Sequence, residues 1–346
     1  MQKDETLGLR IKAISYYLPE TRESNEELVS SGRVPYTAID IERKTGIAER
    51  RVSSREETPV WMAEHACEKL LCKGYLNAVD WLIFCTHTPD YMLPSCSCIL
   101  HGRLGMPNRV AAFDIALSCT GYVYSLVLCD ALLKAKPSGT ILLVNADNYT
   151  KYLAPQDANV CTIFGDAAAA TLLEYDESPD TGIIGHQLCT SGGGYNGLIR
   201  RGGGACSPQI PGDARYIGDE RADPFIRMDG PEIFRFVQKT VPSHILSLLE
   251  NTRIKKDEVD FFFMHQASEY ILRSLSQRIG VKLDKVPIRM KHTGNAVSAS
   301  IPLLIHTMGM EGLRLQDRLL LLCGFGAGLS YGSVLFKTND QPIEYL

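Results

Sequence analysis

One apolar strand pattern occurs twice in this chain. V-D-W-L-I-F-C-T-H-T begins at Val79, and V-D-F-F-F-M-H-Q-A-S begins at Val259. A second pair follows in the same order. I-F-G-D-A-A-A-A-T-L-L fills 163–173 and G-F-G-A-G-L-S-Y-G-S-V-L fills 324–335, each a turn leading into a strand. Two echoes in one order predict duplication of a single unit, with halves 1–180 and 181–346. Such a fold sets corresponding strand ends across a pseudo-twofold, a natural place for a composite site. Around the echoes, strand and helix patterns alternate. Ile11–Tyr17, Asp80–Thr86, Ile141–Ala146, Val259–Met264 and Leu319–Cys323 read as strands. Helical spacing covers Glu56–Leu71 (with Pro59 in its first turn), 120–134, Glu232–Leu249 and Ser268–Ile279. Repeated β–α units of this kind predict an α/β architecture whose sheets are buried on both faces. The glycines at 192–197 and 200–204, with Pro208, Pro211 and Pro224, read as a loop.

Bulk properties narrow the function classes. A chain of 346 residues buries a large core. A net charge of −4 argues against a nucleic-acid binder, which carries a basic surface. No run of about 18 apolar residues reads as a membrane span, and the N-terminus lacks the apolar region of a secretory signal. The 11 cysteines form no paired framework, which suits free thiols in a reducing cytoplasm. Cys96 and Cys98 form C-x-C with His101 nearby, but a metal site needs a second ligand pair that the sequence lacks, so they read as packing. Neither a metal nor another cofactor is expected. The run G-G-G-Y-N-G does not sit between a strand and a helix, so it is not a phosphate loop.

Three residues at strand–helix junctions carry the chemistry. Cys119 ends the apolar stretch 110–118 and precedes a helix, where unpaired N–H groups and the positive dipole end favour thiolate. Thiolate is the form that covalent catalysis requires. Gly121 is read as clearing space for a ligand. By itself a cysteine in an apolar run is more often a packed core residue than a nucleophile. His265 follows the strand 261–264 and points toward the ligand-binding edge of an α/β sheet, although a structural histidine fits the same position. Asn295, in H-T-G-N, is by itself a candidate N-cap.

Taken together, the motifs resemble 3-oxoacyl-[acyl-carrier-protein] synthase III and its relatives in the thiolase superfamily. The matching segments are K-T-G-I-A-E-R-R at 44–51, D-I-A-L-S-C-T-G-Y at 114–122, F-G-D-A-A-A-A at 164–170, G-G-Y-N-G at 193–197, M-D-G-P-E-I-F at 228–234, H-Q-A-S at 265–268, H-T-G-N at 292–295 and G-F-G-A-G at 324–328. They occur in family order over nearly the whole chain. The resemblance implies a thiolase-like five-layered αβαβα fold and a homodimer. It also implies a two-step reaction, in which an acyl thioester loads Cys119 and a malonyl thioester then loses CO₂ and attacks the acyl-enzyme. In that scheme Cys119 is the nucleophile, and the N–H groups of Cys119 and Ala327 form an oxyanion hole. His265 and Asn295 stabilise the enolate, while Phe325 packs beside the thiol.

Departures from the family pattern concern the acyl donor. Asp40 and Ala158 stand where a Trp and an Arg clamp the adenine of coenzyme A, Tyr270 replaces another Arg, and Lys44 replaces a third. Losing that clamp removes stacking and phosphate pairing together, so either acyl-CoA or acyl carrier protein remains open as the donor. Arg235 and Arg278 match positions that meet the carrier protein. Leu93 takes the place of a Phe that enters the partner's acyl pocket, and its smaller side chain suits a longer or branched acyl group. A relative that passes the acyl group to an alcohol or amine fits the same residues. A thiolase would need a second cysteine at the C-terminal turn. Cys323 is one residue out of register for that role. A non-catalytic partner subunit would have lost the cysteine.

Overall fold

Sheets buried on both faces require helices in three layers, and that is the arrangement found. The computed structural model describes residues 8–176, 181–207 and 223–346. In chain order the first half contributes β1 (Gly8–Tyr17), β2 (Arg22–Ser24), α1 (Asn25–Ser30), α2 (Ala38–Thr45), β3 (Glu49–Arg51), α3 (Pro59–Cys72), β4 (Trp81–Cys85), α4 (Cys96–Arg103), β5 (Ala111–Ile115), α5 (Gly121–Ala135), β6 (Thr140–Asp147), α6 (Ala158–Cys161) and β7 (Ala167–Asp176). The second contributes β8 (Gly182–Thr190), β9 (Leu198–Arg200), β10 (Ile226–Met228), α7 (Gly230–Thr252), β11 (Phe261–Met264), α8 (Glu269–Ile279), α9 (Ser300–Met310), β12 (Leu319–Gly326), β13 (Ser330–Lys337) and β14 (Glu344–Tyr345).

One sheet has the order β14-β1-β7-β6-β4-β5 and the other β11-β12-β13-β8. In the first, β1 and β7 are antiparallel, β7 and β6 antiparallel, and β6 and β4 parallel. In the second, β8, β13, β12 and β11 repeat that succession of senses. The echo at Val79 and Val259 therefore marks equivalent strands, β4 and β11. The last residues of the chain cross back, because β14 pairs with β1 in the first sheet.

Alternation along the strands divides the side chains between layers. Ile141 and Leu143 of β6 face a central layer, where Tyr122, Leu126 and Leu133 of α5 meet Leu304 and Ile305 of α9 and Leu320 and Leu322 of β12. The intervening Leu142 and Val144 face outward, under Met62, Ala66 and Leu70 of α3. Strand β11 divides likewise. Phe263 joins the central layer, while Phe262 and Met264 pack under Ile245 of α7 and Leu272 of α8. The result is five layers, α3/α4, sheet, α5/α9, sheet, α7/α8.

Local signals set the helix ends. Thr58 caps α3 by accepting from the Trp61 N–H, with Pro59 at the first helical position. Ser268 caps α8 by accepting from Ile271, and Gly280 closes it at φ 76°. Strand β12 runs to Gly326, beyond the expected end at Cys323, and so carries Phe325 and Gly326 in its ladder. The Gly-rich middle is a short 3₁₀ turn, Gly192–Gly197, followed by the β9–β10 ribbon. Pro208 and Pro211 lie outside the described residues.

The seating of α5 corrects the reading of Gly121. A Cβ there would lie 2.2 Å from Cys85 Sγ, so the glycine lets the helix start rest on β4 and clears no ligand path. We expect Gly121→Ala to destabilise the fold by about 1–3 kcal/mol through overpacking. In urea unfolding, adding Cys85→Ala to that variant should recover part of the lost midpoint. An unshifted midpoint in the single variant would rule this contact out as the reason for the glycine.

Candidate active site

Cys119 lies two residues before α5, on the turn that leaves β5, and is 4% exposed. The edge of β12 packs directly on it. A Cβ on Gly324 would come 2.7 Å from the Cys119 carbonyl oxygen, and one on Gly326 would come 3.0 Å from Sγ. Only glycine permits that approach, and it carries the next peptide to the thiol. The N–H groups of Cys119 and Ala327 both point at the sulfur. Ala327 is absent from the residues with positive φ, so its backbone accepts a side chain without strain.

The expectation of a resting thiolate does not hold. Burial pushes the Cys119 thiol up to about 12, opposed by the Ser118 side chain and by the same two N–H groups. Enclosure penalises the charged form more than the helix-end donors favour it. His265 is pushed the other way. Its backbone N–H donates to the Cys323 carbonyl at 2.8 Å and extends the β11–β12 ladder. Burial lowers its imidazole to about 3, opposed by the Val297 backbone, so the ring is neutral at pH 7. Nδ1 lies 2.7 Å from Ser300 Oγ. The ring stands edge-on to Phe325, with centroids 5.6 Å apart.

Asn295 is held at three points. Its N–H donates to Ile163, its carbonyl accepts from Gly165, and its Oδ1 accepts from the Val297 N–H at 2.9 Å. The carboxamide is thus turned so that Nδ2 is its free end, with no acceptor for it among the described residues. Val297 sits at φ 49°, an unusual conformation for a β-branched residue and a local strain of order 1–3 kcal/mol. Asp147, buried at the end of β6, holds this turn. It accepts from Ser298 Oγ at 2.5 Å, from the Ser298 N–H, and from His87 N–H, Thr86 and Thr88 of the opposite loop. Its burial raises the carboxyl above the usual range, and the Ser298 and His87 donors oppose the rise.

Cys119, His265, Asn295 and Phe325 line one cavity of about 180 Å³. Leu198 and Met228 form one wall, and Phe234 stacks on Tyr270 with ring centroids 5.6 Å apart. The other expected residues lie elsewhere. Arg235 and Arg278 share a groove with Lys239, and Phe234 borders both that groove and the cavity. Lys44 stands 4.2 Å over the ring of Tyr36, outside the cavity. Leu93 is 86% exposed and does not line the cavity within its own chain. Asp40 accepts from Thr37 and pairs with Arg43, and Ala158 opens α6. Cys323 lies in the core under α7 and α8, away from the cavity. Cys96 is buried while Cys98 is exposed, so the two do not converge. Sequence reading missed Ser300, Val297, Asp147 and Gly326. Gly326 had a visible signal in G-F-G-A-G; Asp147 acts across the junction between halves through Ser298, while Val297 and Ser300 act within the second half, on Asn295 and His265.

This arrangement, a thiol against two N–H donors beside a neutral imidazole and a free amide, suits acyl transfer through a covalent thioester. Comparison with known proteins agrees. Residues 113–192 match 3-Oxoacyl-[acyl-carrier-protein (ACP)] synthase III, and residues 249–338 match the C-terminal region of that family. Beta-ketoacyl-[acyl-carrier-protein] synthase III of Streptococcus uberis is 34% identical over 95% of this chain and 98% of its own length. A crystal structure of 3-oxoacyl-(acyl-carrier-protein) synthase III superposes with TM-score 0.88 at 35% identity, covering 95% of this chain and 99% of that one. The priming β-ketosynthase of a polyketide biosynthetic pathway superposes with TM-score 0.85 at 25% identity, covering 99% of each chain. With its five layers and the thiol at their centre, the chain belongs to the 3-oxoacyl-[acyl-carrier-protein] synthase III family of condensing acyltransferases, within the thiolase superfamily.

Proposed function

We propose that the Cys119 cavity performs a two-step condensation, with each half of the chain (1–180 and 181–346) supplying part of the machinery. What supports the assignment is that the sulfur, the imidazole and the carboxamide line one enclosed space. In the first step Sγ attacks the carbonyl of an acyl thioester and its proton passes to His265 Nε2. The oxyanion is held by the N–H groups of Cys119 and Ala327. The C–S bond to the carrier then breaks, and the carrier leaves as a thiol with the imidazole's proton. Ser300 Oγ either accepts from Nδ1 or donates to it, so it supports both tautomers that His265 needs.

In the second step a malonyl thioester enters. Its C–C bond to the carboxylate breaks, CO₂ leaves, and the electron pair becomes an enolate. Asn295 Nδ2 and His265 Nε2–H donate to the enolate oxygen. The enolate carbon attacks the acyl-enzyme, the C–S bond to Cys119 breaks, and the released thiolate takes up a proton. Phe325 shields the thiol from water. The carrier docks at the groove of Arg235, Lys239 and Arg278, cations with no carboxylate partner among the described residues, and Lys44 adds to that basic surface. Charges of this kind suit an acidic carrier protein or the phosphates of coenzyme A. The exposed Tyr91, Met92 and Leu93 fit burial against a second copy, with Leu93 entering the partner's site in a homodimer. No helix among the described residues is long and apolar enough to cross a membrane. Eleven free thiols support a cytoplasmic setting.

Intact-protein mass spectrometry tests the first step. Acyl donors should add their acyl mass to the wild type and nothing to Cys119→Ala; a label that survives that substitution would move the nucleophile elsewhere. The second step is tested by Asn295→Asp, which keeps the acceptor for Val297 but loses the N–H donor. Its CO₂ release from malonyl thioester should fall about 100- to 1,000-fold, with Cys119 loading little changed. Equal loss in both steps would mean that Asn295 only shapes the turn.

His265 also makes a pH prediction. Its folded value of about 3 lies below the unfolded 6.5, so the unfolded chain binds the proton first. The stability associated with the neutral ring is complete above pH 6.5 and drains as pH falls toward 3, by about 2 kcal/mol between pH 6.5 and 5. Urea unfolding of wild type and His265→Asn at pH 7 and 5 should show a shallower pH loss in the variant. Parallel losses would mean that the imidazole ionises normally.

A further inference from the structure

A second cavity, of about 340 Å³, adjoins the site. Leu198 belongs to the walls of both cavities, and Gly326 borders one while Ala327 and Gly328 border the other. Its inner residues Tyr149, Leu198 and Ile226 pack in the same cluster as Cys119. Ala327, whose N–H reaches the sulfur, thus lines a space next to the one that holds Sγ. The lining changes character with depth. Leu198, Ile226 and Ala327 are apolar and buried or half-buried, Thr88 and Tyr149 are polar and buried, Tyr152 is half-buried, and the exposed rim holds His87, Tyr195 and Arg200.

Arg200 is the one permanent cation of this lining, and no carboxylate borders it. Its Nε donates to the Pro224 carbonyl at 2.8 Å, and its guanidinium lies 4.1 Å over the ring of Tyr152. Both contacts orient the fork and leave its terminal nitrogens without an acidic partner among the described residues. A guanidinium held in this way, exposed at the rim of a cavity with no other permanent charge among its lining residues, matches a carboxylate in bidentate geometry. Plain alkyl chains would leave that rim unmatched. Resting on the reading of Cys119 as nucleophile, we infer that this enzyme is loaded with a short acyl group ending in a carboxylate, the half-thioester of a dicarboxylic acid, whose far end is bound by Arg200. The methylenes lie against Leu198 and Ile226. Loading itself is unchanged chemistry, in which one thioester is exchanged for another and the carrier leaves as a thiol.

The test compares succinyl and butyryl donors, each carried on coenzyme A and on acyl carrier protein, by the rate at which each mass appears on Cys119. Succinyl should load at least about tenfold faster than butyryl, as a charge-assisted hydrogen-bonded pair implies. Arg200→Met should remove that preference by slowing succinyl alone, and Arg200→Lys should restore part of it. Thermal melting checks that each variant is folded. Butyryl loading as fast as succinyl, or Arg200→Met slowing both alike in a folded protein, overturns the inference and leaves the condensation intact. Absence of every label from Cys119 overturns the proposed reaction and the inference with it.

Discussion

The contact that everything else depends on is the bare backbone of β12 lying on Cys119. Gly324 and Gly326 let one half of the molecule approach Cys119 of the other to within what any side chain would block. That closeness delivers the Ala327 N–H to the sulfur before any substrate arrives. It also encloses the thiol, which is why the resting form is protonated. The same packing therefore brings two N–H groups to the sulfur and removes the standing charge. A donor pair fixed in advance costs no reorganisation when the oxyanion develops.

The second anchor works across the same junction. Asp147 takes hydrogen bonds from the loop after β4 and from Ser298, so one buried carboxylate ties the first half to the turn that aims Asn295. Val297 completes that turn in a left-handed conformation, one that a β-branched side chain adopts only when its surroundings impose it. Ser300, one turn further on, reaches the imidazole. Within six residues the chain thus orients a carboxamide, bends sharply and places a hydroxyl on the histidine ring.

Much of the layer structure was readable in the sequence because both sheets are buried on both faces. Continuous runs such as L-I-F-C and F-F-F-M leave little choice but a covered strand, and Thr58–Pro59 or Ser268 mark helix starts by local chemistry. Cys119 and His265 each sit where a strand hands over to a helix, as the sequence pattern predicts, whereas Asn295 lies in a loop, on an isolated bridge to Phe164 that leads into a 3₁₀ turn. The ionisation of Cys119 was not readable, since it depends on enclosure by a strand two hundred residues onward in the chain rather than on the helix beside it. Gly121 was misread on the same ground: its neighbour is Cys85, which no local pattern announces. The Asp147–Ser298 link joins positions 151 residues apart. Pairing of β14 with β1 likewise leaves no trace in a two-residue strand.

The enclosed, protonated sulfur has a bearing on how such an enzyme survives in a cell. Oxidants and electrophiles react with thiolates that they can reach. Cys72, Cys98 and Cys206 are exposed and meet such reagents first, while Cys119 is both shielded and uncharged. Enclosure and protonation therefore leave Cys119 less open to such reagents than the three exposed cysteines.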